Sequence, residues 1–224
     1  TVKTRILSGS SQMLRVDEEI DTPLNQADEN AMIASIKDRI EKQDIDIIIF
    51  EDYDKGIITP TLIQEVVSMA NALKIPTAAD PKKKNFMLYK NVSLFKPNLK
   101  ELREGLKIDI YADNIKIIEK AVDQLQSTLN ATQVLVTLSE LGVYISGNGF
   151  KEMIPAHFRD ITDVSGAGDT VMCVAALCYA LRLSPKDTAL LSNLAGGIVC
   201  EKVGVVPIDK EQFFDEAMKL LVSS

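Results

Sequence analysis

The sequence predicts an α/β protein: a mostly parallel sheet with helices on both faces and a small β-hairpin at its N-terminus. Three observations carry this. Apolar runs of strand length alternate with amphipathic helical runs along most of the chain, the pattern of a parallel sheet with helical crossovers. The 224 residues are 46% hydrophobic and 25% charged, enough apolar material for a sizeable core. Residues 1–22 break the alternation, with two strand-like runs and no helix between them. They read as a separate hairpin element, and 23–224 as the α/β domain.

The hairpin arms are 2–7 and 12–17, joined by Ser8-Gly9-Ser10-Ser11. Leu14 and Val16 alternate with Arg15 and Asp17, the period of a half-exposed strand. Asp28 is placed to cap a helix with Ile33, Ile36 and Ile40 on one face. An apolar run, 45–50, reads as a strand. Thr59-Pro60 opens a helix with proline in its first turn, and Leu62, Ile63, Val66, Val67, Ala70 and Leu73 form its apolar face. Strand-like 75–79 and 92–95 follow, then a short helix from Asn98. A longer helix from Asp113 carries Ile117, Ile118, Ala121, Val122 and Leu125. The clearest strand is 133–138. Residues 143–145 and 152–154 suit an antiparallel pair across Gly147-Asn148-Gly149. Helices at about 167–182, 186–202 and 209–222 close the chain, the last with the capping-box spacing of Asp209 and Gln212.

A net charge of −7 argues against a nucleic-acid or anionic-membrane partner, since both need a basic footprint. The longest apolar run, 171–181, is shorter than the about 20 residues that span a bilayer. Cys173, Cys178 and Cys200 form no C-x-x-C pair and sit in apolar helical text, which suits reduced core cysteines in a cytoplasmic protein. One histidine, His157, is expected in a loop, which disfavours histidine-based catalysis and a His-rich metal site.

Ligands of open parallel sheets bind beyond the carboxyl ends of the strands. Four strands in succession end in polar residues there: Glu51-Asp52-Tyr53, Asp80-Pro81-Lys82, Lys96-Pro97-Asn98 with Glu101, and Thr137 with Ser139 and Glu140. A fifth feature is Gly166-Ala167-Gly168-Asp169 ahead of a strongly apolar helix. Backbone N–H groups at a helix N-terminus are unpaired and carry an effective positive charge, so a glycine turn there can cradle an anion. A carboxylate beside such a cradle suits removal of a proton from an attacking hydroxyl. Taken alone, the segment fits a tight turn with close helix packing equally well.

The stretch "DVSGAGDTV" at 163–171 resembles the second signature of the ribokinase-like (PfkB) sugar kinases. "KPNLKE" at 96–101 resembles that family's N-x-x-E motif, "VLVTLSELGV" at 134–143 its nucleotide-contacting strand and turn, and "NLAGGIVCEKVGVV" at 193–206 its C-terminal nucleotide segment. Within the family, "TVKTRILSGSSQMLRVDEE" at 1–19, "EDYDKG" at 51–56 and "DPKKKNF" at 80–86 resemble the heptose 7-phosphate kinases.

The resemblance implies a ribokinase-like fold and ATP-dependent phosphorylation of a sugar phosphate, most closely heptose 7-phosphate at its anomeric hydroxyl. Other PfkB sugar or nucleoside kinases, or a nucleotide-binding module without turnover, are the alternatives. Asp169 would be the base, and the N–H groups of Gly166, Ala167 and Gly168 would hold the transferring phosphoryl group. Asn98 and Glu101 would organise Mg²⁺ and its waters, as hard oxygen ligands do. Thr137, Ser139, Glu140 and Gly142 would line the nucleotide site, with Asn193 and Gly197 near the base. Arg15 and Asp17 would belong to a hairpin lid over the sugar, and Lys82 would contact a phosphate. A homodimer through the hairpin is a further expectation.

The family's opening Gly-Asp strand and Gly-Gly pair have no counterpart in these residues, so the sheet is expected to lack its first strands and to expose an edge. Ser139 stands where the family frequently has glycine, and Cys173 and Val174 where it usually has very small residues.

Overall fold

The computed structural model describes residues 2–8, 11–42, 44–111 and 114–223. Strands β1 (Val2–Ser8) and β2 (Ser11–Glu18) form an antiparallel two-stranded sheet, as expected; Gly9 and Ser10 of its turn lie outside the described residues. The second sheet contains β3 (Ile48–Glu51), β4 (Thr77–Asp80), β5 (Leu94–Phe95), β6 (Gln133–Thr137), β7 (Val143–Gly147) and β8 (Phe150–Ile154), in that spatial order. Strands β3 to β6 are parallel, and β7 and β8 are antiparallel to their neighbours. The helices are α1 (Gln26–Lys42), α2 (Pro60–Ala72), α3 (Leu99–Leu106), α4 (Ile115–Leu129), α5 (Ala167–Ala180), α6 (Pro185–Cys200) and α7 (Lys210–Ser223).

Strand alternation builds a core on each face of the sheet. Phe50, Ala79, Phe95, Val134 and Val136 pack with Leu62, Ile63 and Val66 of α2 and with Ile118, Val122 and Leu125 of α4. Their neighbours Ala78, Leu94 and Leu135 face the other way, against Val171, Met172, Ala175 and Ala176 of α5 and Ala189 of α6. Burial on both sides explains why β6 reads as a nearly unbroken apolar run. Strand β3 is one edge of this sheet, and among the described residues the hairpin does not pair with it.

Several expectations shift by a turn or less. Asn25, not Asp28, caps α1: its Oδ1 accepts the Asp28 N–H at 2.9 Å, which leaves Asp28 in the first turn. Asn114 caps α4, and Asp113 lies outside the described residues. Asp209 accepts the Gln212 N–H at 2.9 Å, but the Gln212 amide reaches Glu201 and Glu216 instead of closing a capping box. Leu73 follows α2 and is exposed. Cys178 and Cys200 are buried core residues, whereas Cys173 sits on an exposed face of α5. Among the described residues, no helix is long and apolar enough to cross a membrane.

Candidate active site

The carboxyl ends of β3, β4 and β5 meet the N-terminus of α5. Gly166 is the N-cap of α5 with φ +81°, a left-handed conformation that glycine adopts without steric cost. That turn points the helix N-terminus at the sheet and puts Asp169 in the first turn. Carboxylate oxygens of Glu51, Asp80 and Asp169 all lie within 4.8 Å of one another. The Tyr53 hydroxyl donates to Asp169 Oδ2 at 2.8 Å.

Two lysines balance these acids. Lys96, only 2% exposed, places Nζ 3.0 Å from Asp80 Oδ2. The same Nζ lies 3.9 Å from where a Cβ on Gly168 would stand, so the ammonium sits against the first turn of α5. Lys82 Nζ donates to Glu101 Oε1 at 2.7 Å and lies 3.7 Å from Asp80 Oδ1. Lys82 is therefore ion-paired on two sides, to Glu101 and to Asp80.

Burial, with the nearby Asp80 and Asp169 charges, pushes the Glu51 carboxyl up to about 7. Burial likewise pushes Asp80 up, while Lys96 and Lys82 pull it back. For Lys82 burial works against the ammonium, but Asp80 and Glu101 outweigh it and the net shift is upward. Glu51 Oε1 and Asp80 Oδ1 are buried without a hydrogen-bond partner. Orphaned carboxylate oxygens of this kind fit a hard divalent cation.

Asn98 and Glu101 are brought to the same place but are occupied locally. Asn98 Oδ1 accepts the Glu101 N–H and Glu101 Oε2 accepts the Asn98 N–H, both at 2.8 Å, a complete capping box on α3. With Oε1 on Lys82, both oxygens of Glu101 are engaged. Thr137 ends β6 beside Asn98, with its N–H bonded to Pro97 O at 3.1 Å. Ser139 and Glu140 are exposed in the 3₁₀ turn Ser139–Leu141 that follows. Ser139 has φ +54°, which accounts physically for the glycine expected at that position. Gly142 has φ +100°, and a Cβ there would stand 2.1 Å from Ile154 O.

Asn193 and Gly197 face the chain that follows β8. The Asn193 amide donates to Pro155 O at 2.8 Å, and a Cβ on Gly197 would stand 3.0 Å from Arg159 Cδ. Arg159 is itself paired with Glu201 at 3.0 Å and with Glu216. His157 is a half-buried loop residue, as expected, with its imidazole pushed down by burial and by Arg159.

A cavity of about 1160 Å³ opens beside the β3 edge, between hairpin and domain. Arg5, Arg15, Glu51, Tyr53, Gly166 and Asp169 are among the residues that line it. Arg15 binds Asp17 with two side-chain nitrogens at 2.9 and 2.5 Å. The hairpin is tethered over this cavity by Glu19, which pairs with Lys3 at 3.7 Å and with Lys55.

Glu51, Tyr53, Asp80 and Lys96 complete a centre that sequence reasoning recognised only as polar strand ends. Their shared signal is position: each stands at the last residue of a parallel strand or just beyond it.

The sequence pattern of the pfkB family carbohydrate kinases matches residues 19–211. The chain is 36% identical over 206 residues to the bifunctional protein HldE of Caulobacter sp. (strain K31), covering 91% of this chain and 41% of that protein. It is 35% identical over 215 residues to the bifunctional protein HldE of Campylobacter jejuni (strain RM1221), covering 96% of this chain and 44% of that one. The chain thus spans about two-fifths of the length of these curated relatives. In structure it is similar to phosphofructokinase-2 from Escherichia coli in complex with potassium: TM-score 0.81, 17% identity, 94% of this chain and 67% of that one. It is also similar to Arabidopsis thaliana ribokinase complexed with ribose and ATP: TM-score 0.65, 16% identity, 89% and 60%. These two likenesses establish the ribokinase-like fold.

Proposed function

The chain belongs to the pfkB family of carbohydrate kinases, and from that membership we propose that it transfers the γ-phosphoryl group of ATP to a hydroxyl of a sugar phosphate, with heptose 7-phosphate at its anomeric position as the acceptor. The observation that carries this reading is Asp169 in the first turn of α5, beside Lys96 and at the carboxyl ends of β3 and β4. The heptose acceptor rests on the HldE likeness at 35–36% identity.

In this reading Asp169 takes the proton from the acceptor hydroxyl as that oxygen attacks the γ-phosphorus. The bond from γ-phosphorus to the bridging oxygen breaks, and ADP leaves. The N–H groups of Gly166, Ala167 and Gly168 hold the phosphoryl oxygens, and the Lys96 ammonium adds positive charge there. Mg²⁺ would neutralise phosphate charge when bound with ATP. Asp80 and Glu51 would offer it buried carboxylate oxygens that have no hydrogen-bond partner, and Asn98 and Glu101 would act through water. Thr137, Ser139, Glu140 and Gly142 would line the nucleotide site, with Asn193 and Gly197 toward the base. Arg15, Asp17 and Lys82 would contact the sugar phosphate. Residues 1–22 would act as lid and dimer contact, and 23–224 as the nucleotide-binding domain.

Asp169→Asn tests the reading in this chain. Sugar-dependent ADP release should fall about 10²–10⁴-fold, while calorimetry shows ATP binding unchanged. Near-normal turnover in that variant would remove Asp169 as base. ATP binding by the unsubstituted chain with no ADP release on any sugar phosphate would leave a nucleotide-binding module in place of a kinase.

A further inference from the structure

The loop after β3 is held unusually firmly for a surface turn. Asp52 is 3% exposed; its Oδ2 accepts the Tyr89 hydroxyl at 2.7 Å and the Asn85 amide at 3.0 Å. Its Oδ1 accepts the Asp54 N–H at 2.9 Å, and its own N–H donates to Asp80 O at 3.2 Å. Asp54 follows in the left-handed region, φ +56°. Gly56, also at positive φ, comes so close to Thr22 O that a Cβ would stand 2.1 Å away. The backbone on both sides of Tyr53 is thus clamped, and the ring, half exposed in the cavity, is delivered to Asp169.

We propose that Tyr53 is the positioning residue for Asp169: its hydroxyl holds Oδ2 so that Oδ1 faces the acceptor hydroxyl. This rests on the kinase reading of the same site. Burial and the Asp169 carboxylate both push the phenol's ionisation upward, so Tyr53 stays an O–H donor and takes no proton itself. Asp169 stands among charged groups on neighbouring elements. Glu51 of β3 and Asp80 of β4 bring like charge within 4.8 Å. Lys82 and Lys96 supply the opposing charge, and the Cys173 thiol lies within the Asp169 field one turn along α5. A donor on Oδ2 fixes the carboxylate's rotamer without adding a competing charge.

Tyr53→Phe keeps the ring and removes only the hydroxyl. Three measurements on this chain decide the matter: ADP release with heptose 7-phosphate resolved into kcat and KM, ATP affinity by calorimetry, and the Asp169 χ1 rotamer from side-chain scalar couplings. We expect kcat to fall about tenfold while KM for the sugar phosphate stays within about twofold. ATP affinity should stay within about twofold. The Asp169 couplings should change from a single rotamer to an average. A kcat and couplings that match those of the unsubstituted chain would overturn the proposal. If the unsubstituted chain shows no turnover on any sugar phosphate, the kinase reading fails, and the couplings still decide whether Tyr53 positions Asp169.

Discussion

Glu51 shows what a strand end can do to a single residue. Its carboxyl stands at about 7 in the folded chain, pushed up by burial, Asp80 and Asp169, against an ordinary 4.5. Folding therefore favours its protonated form. The stability this group allows is complete below about 4.5 and is lost as pH rises through about 7. Glu51→Gln removes that dependence, so melting curves of variant and unsubstituted chain should agree in their Glu51 contribution at pH 4 and diverge by pH 8, the variant gaining. Equal differences at both pH values would show that Glu51 is not perturbed. Gly142 is the opposite case, a residue whose role is spatial. Its φ of +100° and the 2.1 Å approach to Ile154 O leave no room for a methyl group. Gly142→Ala should destabilise by about 3 kcal/mol in urea denaturation, from strain and overpacking together. The motif string made Gly142 visible as a nucleotide-site glycine; only the fold adds that it lets the turn after β6 pass under the end of β8.

At the scale of elements, two helix starts were legible to the residue. Thr59-Pro60 reads as a helix start, and Thr59 does cap α2, accepting the Leu62 N–H at 3.1 Å while donating to buried Glu29 of α1. Asn98 likewise caps α3 within a full capping box. Asn98→Ala should cost about 1 kcal/mol by chemical denaturation. It should also loosen Glu101, and with it the Lys82 pairing. Strand ends behaved differently. The apolar runs 45–50 and 75–79 stop before the acids, yet the ladder continues through Phe50↔Ala79 to Glu51↔Asp80. Hydrophobic pattern marks buried side chains, whereas parallel pairing is set by the neighbouring backbone and carries both acids into the sheet. Those two residues are half of the centre that the strand pattern left out. In contrast, 92–95 shrinks to the two-residue β5, although Val92 is buried and its carbonyl accepts the Thr132 N–H at 3.2 Å.

For the whole molecule, the sheet is the common wall of two cores, so a cavity in its middle should be felt globally. Leu135 of β6 is fully buried against the α5–α6 side. Leu135→Ala should cost about 2–5 kcal/mol and lower Tm by about 5–15 °C in calorimetry. A loss under about 1 kcal/mol would mean that Leu135 is not tightly packed between β6 and the α5–α6 layer. The one-dimensional pattern was enough to establish the alternating α/β architecture, the hairpin that interrupts it, and the glycine turn with its acid, because periodicity, caps and turn residues are local properties of the chain. It also led to the family, because G-A-G-D is contiguous. The company Asp169 keeps is a tertiary fact. Glu51, Tyr53, Asp80 and Lys96 come from three strands spread over 46 positions, and only parallel pairing lines up their carboxyl ends beneath the N-terminus of α5.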